Sequence, residues 1–375
     1  MNTTDPAARV PDHVQVLHLS TVHDSHDNRV RNKEALGLAR AGVDVGLGIR
    51  GEADDASGAF PVYALPRPRN RVARVTGSQV KAWKLLSRLK PRLVHIHDPE
   101  LVPMVWLWKT THRARAVYDA HEDLVKQIST KKYLHRGVRP VMRLLSKGLV
   151  GWADRGMDAI VAATPEVAQC FRNPNTTVVR NYPWLSDFGS HPQPVPGRMV
   201  YVGDLTEERK VSLMIAATRR ARERVPQAHL VLAGRARPAV KAMLEEQSDD
   251  EAVTYLGQLE PTSIPAVVAS AQLGLILLEP LPNYVTSLPT KLFEYMAGGV
   301  PFLGSDFPAW RTMFPAGGQF VDSQDEDAVV TAMADLLADP QHCAALGAQG
   351  RAYLEEHFTF EEQAGELVRL TRSLL

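Results

Sequence analysis

Short, nearly continuous apolar runs alternate along the chain with stretches in which apolar residues return every three or four positions. The first pattern fits strands buried on both faces and the second amphipathic helices, so the alternation predicts βαβ units with parallel sheets. In the first half the expected strands are 14–19, 43–49, 93–97, 116–119, 159–162 and 177–179, with helices at 30–40, 77–89 and 139–152. The stretch NYPWLSDFGSHPQPVPG, residues 181–197, is rich in Pro, Gly and Ser and has no apolar period, which reads as a linker. Beyond it the alternation resumes, with strands at 199–202, 229–233, 253–256, 273–278 and 301–303 and helices at 211–224 and 290–296. The expected fold is therefore α/β with two doubly wound, Rossmann-like domains, 1–183 and 198–357, joined by a linker at 184–197. A last helix is expected in 358–375. Ligands of such sheets bind beyond the carboxyl ends of the strands, so function is expected in the loops there.

Length agrees, because 375 residues exceed what one core usually holds. Cys170 and Cys343 are the only cysteines, too few for a disulfide framework or a thiolate metal site. The N-terminal MNTTDPAARVPDHVQ has no apolar core of a signal peptide, and no apolar run approaches the roughly 18 residues of a membrane span. The setting expected from this is cytoplasmic. Net charge is +1, yet residues 1–190 carry +10 and the remainder −9. Nine basic residues and no acid lie between Arg67 and Arg92, and Lys131, Lys132, Arg136, Arg139, Arg143 and Lys147 follow. This face is either solvated or meets an anionic partner, for which a lipid surface at the inner face of a membrane fits better than nucleic acid, since no nucleic-acid-reading motif accompanies it.

The most informative stretch is LPTKLFEYMAGGVPFLGSDFP, residues 288–308. Pro289 suits the first turn of a helix, Thr290 and Lys291 follow it, and free amides at such a terminus bind phosphate oxygens. Glu294, one turn on, is placed to accept hydrogen bonds from vicinal hydroxyls such as those of a ribose. An ordinary capped helix with a solvated Glu is the alternative. This stretch resembles the nucleotide-binding helix of retaining GT-B glycosyltransferases of family 4, in particular a branch that reads P-T-K-L-F-E-Y-M after an Asn-Tyr, here Asn283-Tyr284. By that resemblance Glu294 holds the ribose. The family's first Glu, which contacts the donor sugar, would fall at position 286, where Thr286 stands, and by the same resemblance the last helix, in 358–375, crosses back to the first domain.

The segment YVGDLTEERKVSLMIAA supplies Gly203, Arg209 and Lys210, whose cations can neutralise a departing diphosphate, or else are surface charges at a helix start. Asp204 takes a position where the family commonly has Arg. In the first domain HDPEL, residues 97–101, and YDAHEDL resemble the same branch, whose matching histidine faces the donor sugar; that role falls to His121, with Asp98 and Glu100 as acceptor-side candidates. The loop STVHDSHDNRV also resembles it and offers His23, Asp27, Asn28 and Arg29 for acceptor or phosphate contact, while Arg180-Asn181 resembles the family's hinge pair. No cofactor and no metal are expected. Asp325-Glu326-Asp327 reads as a helix cap, and P-loop and dinucleotide fingerprints are absent.

The resemblance implies a metal-independent enzyme that retains anomeric configuration and moves a sugar from a nucleotide-diphosphate donor, UDP by default, to a saccharide or lipid-linked saccharide. Its rivals are a non-catalytic nucleotide-sugar-binding partner of an active transferase, a natural-product transferase with a small soluble acceptor, and an epimerase or phosphorylase on the same fold.

Overall fold

A computed structural model describes residues 10–25, 27–70, 76–130, 139–189, 194–246 and 250–375. The chain divides into two compact units, Met1–Asn181 with Phe360–Leu375, and Tyr182–Thr359.

In the first unit seven parallel strands stand in the order β3-β2-β1-β4-β5-β6-β7. They are β1 Val16–Asp24, β2 Val45–Arg50, β3 Val62–Leu65, β4 Leu93–Ile96, β5 Arg115–Ala120, β6 Ala159–Ala162 and β7 Thr176–Val178. Runs such as LVHI and AIVA are buried along their whole length, as strands covered on both faces must be. The chain turns outward in opposite directions from β1 and β4, and this switch opens a crevice at their carboxyl ends. β3 was not anticipated; it pairs in parallel with β2 at the edge of the sheet, bracketed by Pro61 and Pro66.

The helix expected at 30–40 is a π turn, Val30–Ala35, followed by an α-helix Leu36–Arg40. Glu34 N donates to Arg29 O at 2.9 Å, an i to i−5 bond. The wider turn carries two adjacent charged residues, Lys33 and Glu34, into the interior. Lys33 Nζ donates to Asn181 Oδ1 at 2.6 Å and to its carbonyl at 3.1 Å. The last helix, Phe360–Leu374, belongs to this unit; Phe360, Ala364 and Leu367 are buried, and Arg372 donates to Ala41 O at 2.9 Å.

The second unit has six parallel strands in the order β10-β9-β8-β11-β12-β13. These are β8 Arg198–Val202, β9 His229–Ala233, β10 Val253–Tyr255, β11 Leu273–Ile276, β12 Phe302–Ser305 and β13 Gly318–Val321, with the switch between β8 and β11. Residues 184–197, expected as a linker, are in part packed structure. Tyr182, Trp184 and Phe188 are buried, Leu185–Phe188 forms a 3-10 turn, and Arg351 Nη1 donates to Phe188 O at 3.2 Å. The aromatic residues drive this, because each gains more by burial than the Pro-rich composition around it suggests. Among the described residues no helix is long and apolar enough to cross a membrane.

Candidate active site

At the carboxyl ends of β1, β4 and β5 the first unit gathers a dense polar cluster. His18 on β1 stands in register with His95 on β4, and His97 is the first residue after β4. Their rings stack, with centroids 4.3 Å apart for His18 and His95 and 5.0 Å for His95 and His97. His97 bridges to His18 Nδ1 at 3.0 Å and to Asp119 Oδ2 at 3.1 Å. His121, just past β5, lies 2.9 Å from the same Asp119 oxygen through Nε2 and is about a quarter exposed.

Arg29 holds this cluster together. It donates to Asp119 at 3.1 and 2.9 Å and to Val179 O at 2.8 Å, and stands 2.9 Å from Glu34 Oε1. Burial acts to raise the Asp119 pKa, but Arg29, then His121 and His97, outweigh it and hold the carboxyl well below the ordinary carboxylate range. Glu34 goes the other way: burial, reinforced by the Asp119 charge and opposed by Arg29, lifts it well above that range. Burial foremost also depresses His18, His95 and His97, which stay neutral. The groups His18, Glu34, His95, His97 and His97, Asp119, His121 each bring metal-type donor atoms within 4.8 Å of one another. Among the described residues His18 Nε2, both His95 ring nitrogens and both Glu34 carboxyl oxygens are buried without a hydrogen-bond partner.

Three expected acceptor-side residues have structural work instead. Arg29 is only 6% exposed and its donors face Asp119, Glu34 and Val179, which corrects its expected contact with acceptor or phosphate. Asp98 is buried and accepts from Thr21 Oγ1 at 3.0 Å, Ser20 Oγ at 3.1 Å and Val22 N at 3.2 Å, pinning the end of β1. Asp27 Oδ1 accepts from Val30 N at 2.8 Å and caps the π turn. Glu100 is half-buried in a short 3-10 turn, its carbonyl accepting from Gln79 Nε2 at 2.9 Å. Sequence reasoning missed His18, Glu34 and His95; the available signal was the spacing of His95 and His97, which places both on one face of a strand.

In the second unit, helix Thr290–Ala297 lies between β11 and β12 in the chain, after a short helix Pro282–Val285. Pro289, expected inside the first turn, is its N-cap residue, and no side chain caps the start. Thr290 is the first helical residue, and Lys291 places a cation in a turn that normally prefers acids. Lys291 Nζ lies 3.3 Å from Glu294 Oε2. Packing sets the helix in place: Tyr295 is fully buried, donates to Leu275 O at 2.8 Å, and fills the space over Gly274, where a Cβ would come within 2.6 Å of the ring.

Gly203 ends β8 beside this helix. A Cβ there would lie 3.1 Å from Tyr201 Oη, 3.2 Å from Arg209 Nη1 and 3.5 Å from Lys291 Cε, so the glycine stands among both cations. Arg209 Nη1 donates to Tyr201 Oη at 3.2 Å. Lys210 does not join them. Its backbone is left-handed, φ 53°, and its Nζ is 2.6 Å from Glu279 Oε1, so it stands apart from the two cations beside Gly203. Thr286 closes a short helix, Pro282–Val285, and its Oγ1 donates to Pro282 O at 3.3 Å. Asp204, where a further cation was expected by resemblance, pairs with Arg235 at 3.1 Å. Asp325 caps helix Glu326–Ala338, its Oδ1 accepting from Ala328 N at 3.0 Å.

Two family models match the chain. Residues 28–184 match a glycosyl transferase 4-like domain, and residues 196–339 match glycosyl transferases group 1. Among curated proteins, the chain is similar to a GDP-mannose-dependent monoacylated alpha-(1-6)-phosphatidylinositol monomannoside mannosyltransferase from Corynebacterium glutamicum, 29% identical over 153 residues. That match spans 40% of this chain and 40% of the relative, well under half of its length. Among solved structures, sucrose-phosphate synthase from Thermosynechococcus elongatus has a TM-score of 0.69 at 18% identity, covering 96% of this chain and 98% of the other. Anabaena HepE in complex with UDP and glucose has a TM-score of 0.64 at 14% identity, covering 96% of this chain and 100% of the other.

Proposed function

We propose that the chain, a glycosyltransferase whose two halves match glycosyl transferase models, transfers a hexose from a nucleotide-diphosphate sugar to a hydroxyl of a saccharide or lipid-linked saccharide, with retention of configuration. The observation that carries this reading is the convergence of Arg209 and Lys291 on Gly203 beside the uncapped start of helix Thr290–Ala297. Two cations and the helix amides suit a diphosphate, and they act most strongly as charge builds up on it when it leaves. Glu294 is the proposed acceptor of the ribose hydroxyls. His121, held through Nε2 by Asp119, is assigned to the donor sugar by the family resemblance.

For the base, the uracil expected from sequence competes with guanine. The curated relative is GDP-mannose-dependent by name, while the UDP-bound neighbour shares the fold at 14% identity. We take guanine as the leading reading, with mannose as the sugar.

The test is thermal stability of the full chain against GDP, UDP, dTDP and ADP, followed by turnover of the matching sugar nucleotide. A site ligand at 100 times its Kd adds roughly 2.7 kcal/mol. Stabilisation by GDP with release of GDP from GDP-mannose is expected. A shift with UDP alone restores uracil. Binding without turnover of any donor turns the reading to a non-catalytic partner, as Thr286 and Asp204 would suit, and no shift with any nucleotide removes the donor site.

A further inference from the structure

Helix Arg139–Gly156 of the first unit is apolar on two sides. Its inner side packs into the unit: Ser146 and Ala153 are buried, and Leu149 lies against the core. On its outer side Val141 is 57% exposed, Leu144 71%, Leu145 61% and Trp152 41%. Positions 141, 145, 148 and 152 recur at helical spacing and share one face, so this is a continuous stripe rather than scattered residues. The stripe extends onto a neighbouring helix, Val102–His112, where Trp106 sets its ring edge-on to Trp152 at 5.7 Å. Of ten large hydrophobic side chains exposed among the described residues, six lie on these two helices. A helix that has already buried one apolar face gains nothing in folding from a second, and an exposed contiguous patch marks an interaction surface.

Charge narrows the partner. Arg143 and Lys147 are exposed one turn apart beside the stripe, and neither forms an ion pair among the described residues. The helix's one acid, Asp154, is turned to the backbone amides of Arg172 and Asn173 at 2.6 and 2.8 Å. Asp158, next along the chain, pairs with Lys109 and Arg115. The outer face therefore offers aliphatic side chains, two indoles and uncompensated cations, the combination that settles in the headgroup layer of a bilayer and that anionic lipid strengthens. We propose that the outer face of helix Arg139–Gly156, extended by Trp106, docks on an anionic lipid surface. The proposal does not depend on the donor-site reading. The basic residues Lys131, Lys132 and Arg136 precede the helix but lie outside the described residues.

The experiment is sedimentation of the full chain with phosphatidylcholine vesicles, with and without about one third phosphatidylglycerol. Binding to the anionic vesicles, weak binding to the neutral ones, and release at high salt are expected. Two double variants, L144D/L145D and R143E/K147E, change only exposed positions, and each is expected to weaken binding about tenfold or more. Their melting temperatures and nucleotide-dependent stabilisation are expected to match the wild type, which separates this proposal from the donor site. Absence of binding to either vesicle, or binding undiminished in both variants, overturns it. So does a wild-type dimer in solution that L144D/L145D converts to monomer, since the stripe would then join two copies of the chain.

Discussion

At the residue scale, the two units place their charged groups for different ends. Arg209, whose Nη1 donates to Tyr201 Oη, and Lys291, 3.3 Å from Glu294, both stand beside Gly203, whereas Arg29 is engaged by Asp119 and Glu34. Arg209→Ala is therefore expected to lower kcat more than it raises KM, because a leaving-group contact is strongest in the transition state. Lys210→Ala, which loses a contact to Glu279, is expected to leave kcat nearly unchanged. Equal effects of the two in steady-state kinetics would reject this division. Glu294→Ala is expected to weaken nucleoside diphosphate binding by about 1.5–3 kcal/mol in calorimetry, the range for hydrogen bonds to a charged group. The buried histidines give a pH signature. His18, His95 and His97 have folded pKa values below their unfolded ones, so their contribution is complete above about pH 6.5 and is lost as pH falls. Glu34 and His23, both raised, act in the opposite direction and soften the slope. His95→Asn should flatten the loss of stability between pH 6.5 and 5 by up to about 1.4 kcal/mol per pH unit; an unaltered slope in denaturant titrations would mean that His95 is protonated when folded.

At the element scale, the site of the second unit depends on one helix seated on one strand. Gly274 on β11 leaves room for the Tyr295 ring, and a side chain there would push helix Thr290–Ala297 away from the sheet. Gly274→Val is expected to cost about 1–3 kcal/mol in chemical denaturation, typical of overpacking, and to weaken nucleotide binding with it. Stability lost without any change in affinity would show that nucleotide binding does not depend on how this helix is seated. This helix was legible in sequence because Pro289, the apolar period and Gly298-Gly299 mark both ends. The central strands were legible as apolar runs. β3 and β13 were not, since each is four residues at a sheet edge, one set between prolines and the other reading Gly-Gln-Phe-Val. The π turn escaped because apolar spacing does not distinguish an i to i−5 bond from an α-helix. Arg209 and Lys210 were adjacent and looked equivalent until the left-handed backbone of Lys210 turned its side chain to Glu279. Likewise the polar cluster needed the β1 and β4 register, which brings His18 beside His95 although 77 positions separate them.

At the scale of the whole molecule, the first unit is discontinuous: its fold is completed by residues that follow the entire second unit. Phe360 is fully buried, Leu367 is 1% exposed and Val368 9%, and Arg180 N donates to Gln363 Oε1 at 2.9 Å. Lys33, beneath the same helix, lies 5.8 Å from the Phe360 ring centroid. Burying three such apolar side chains is worth roughly 1.5–3 kcal/mol each. The total, about 5–9 kcal/mol, is comparable with the stability of a typical domain, about 5–15 kcal/mol. A chain stopped after Thr359 is therefore expected to lose most of the stability of its first unit while the second keeps its own. Scanning calorimetry with and without a nucleoside diphosphate distinguishes the two, since a ligand raises the melting of the unit that binds it. The transition that responds to nucleotide should persist in the truncated chain, and the unresponsive one should shift down by many degrees or disappear. Loss of both transitions would mean that the second unit needs the first to fold. Retention of both would mean that helix Phe360–Leu374 covers the first unit without stabilising it, and the burial of Phe360 would then have to be offset by the entropy of ordering fifteen residues at the chain end.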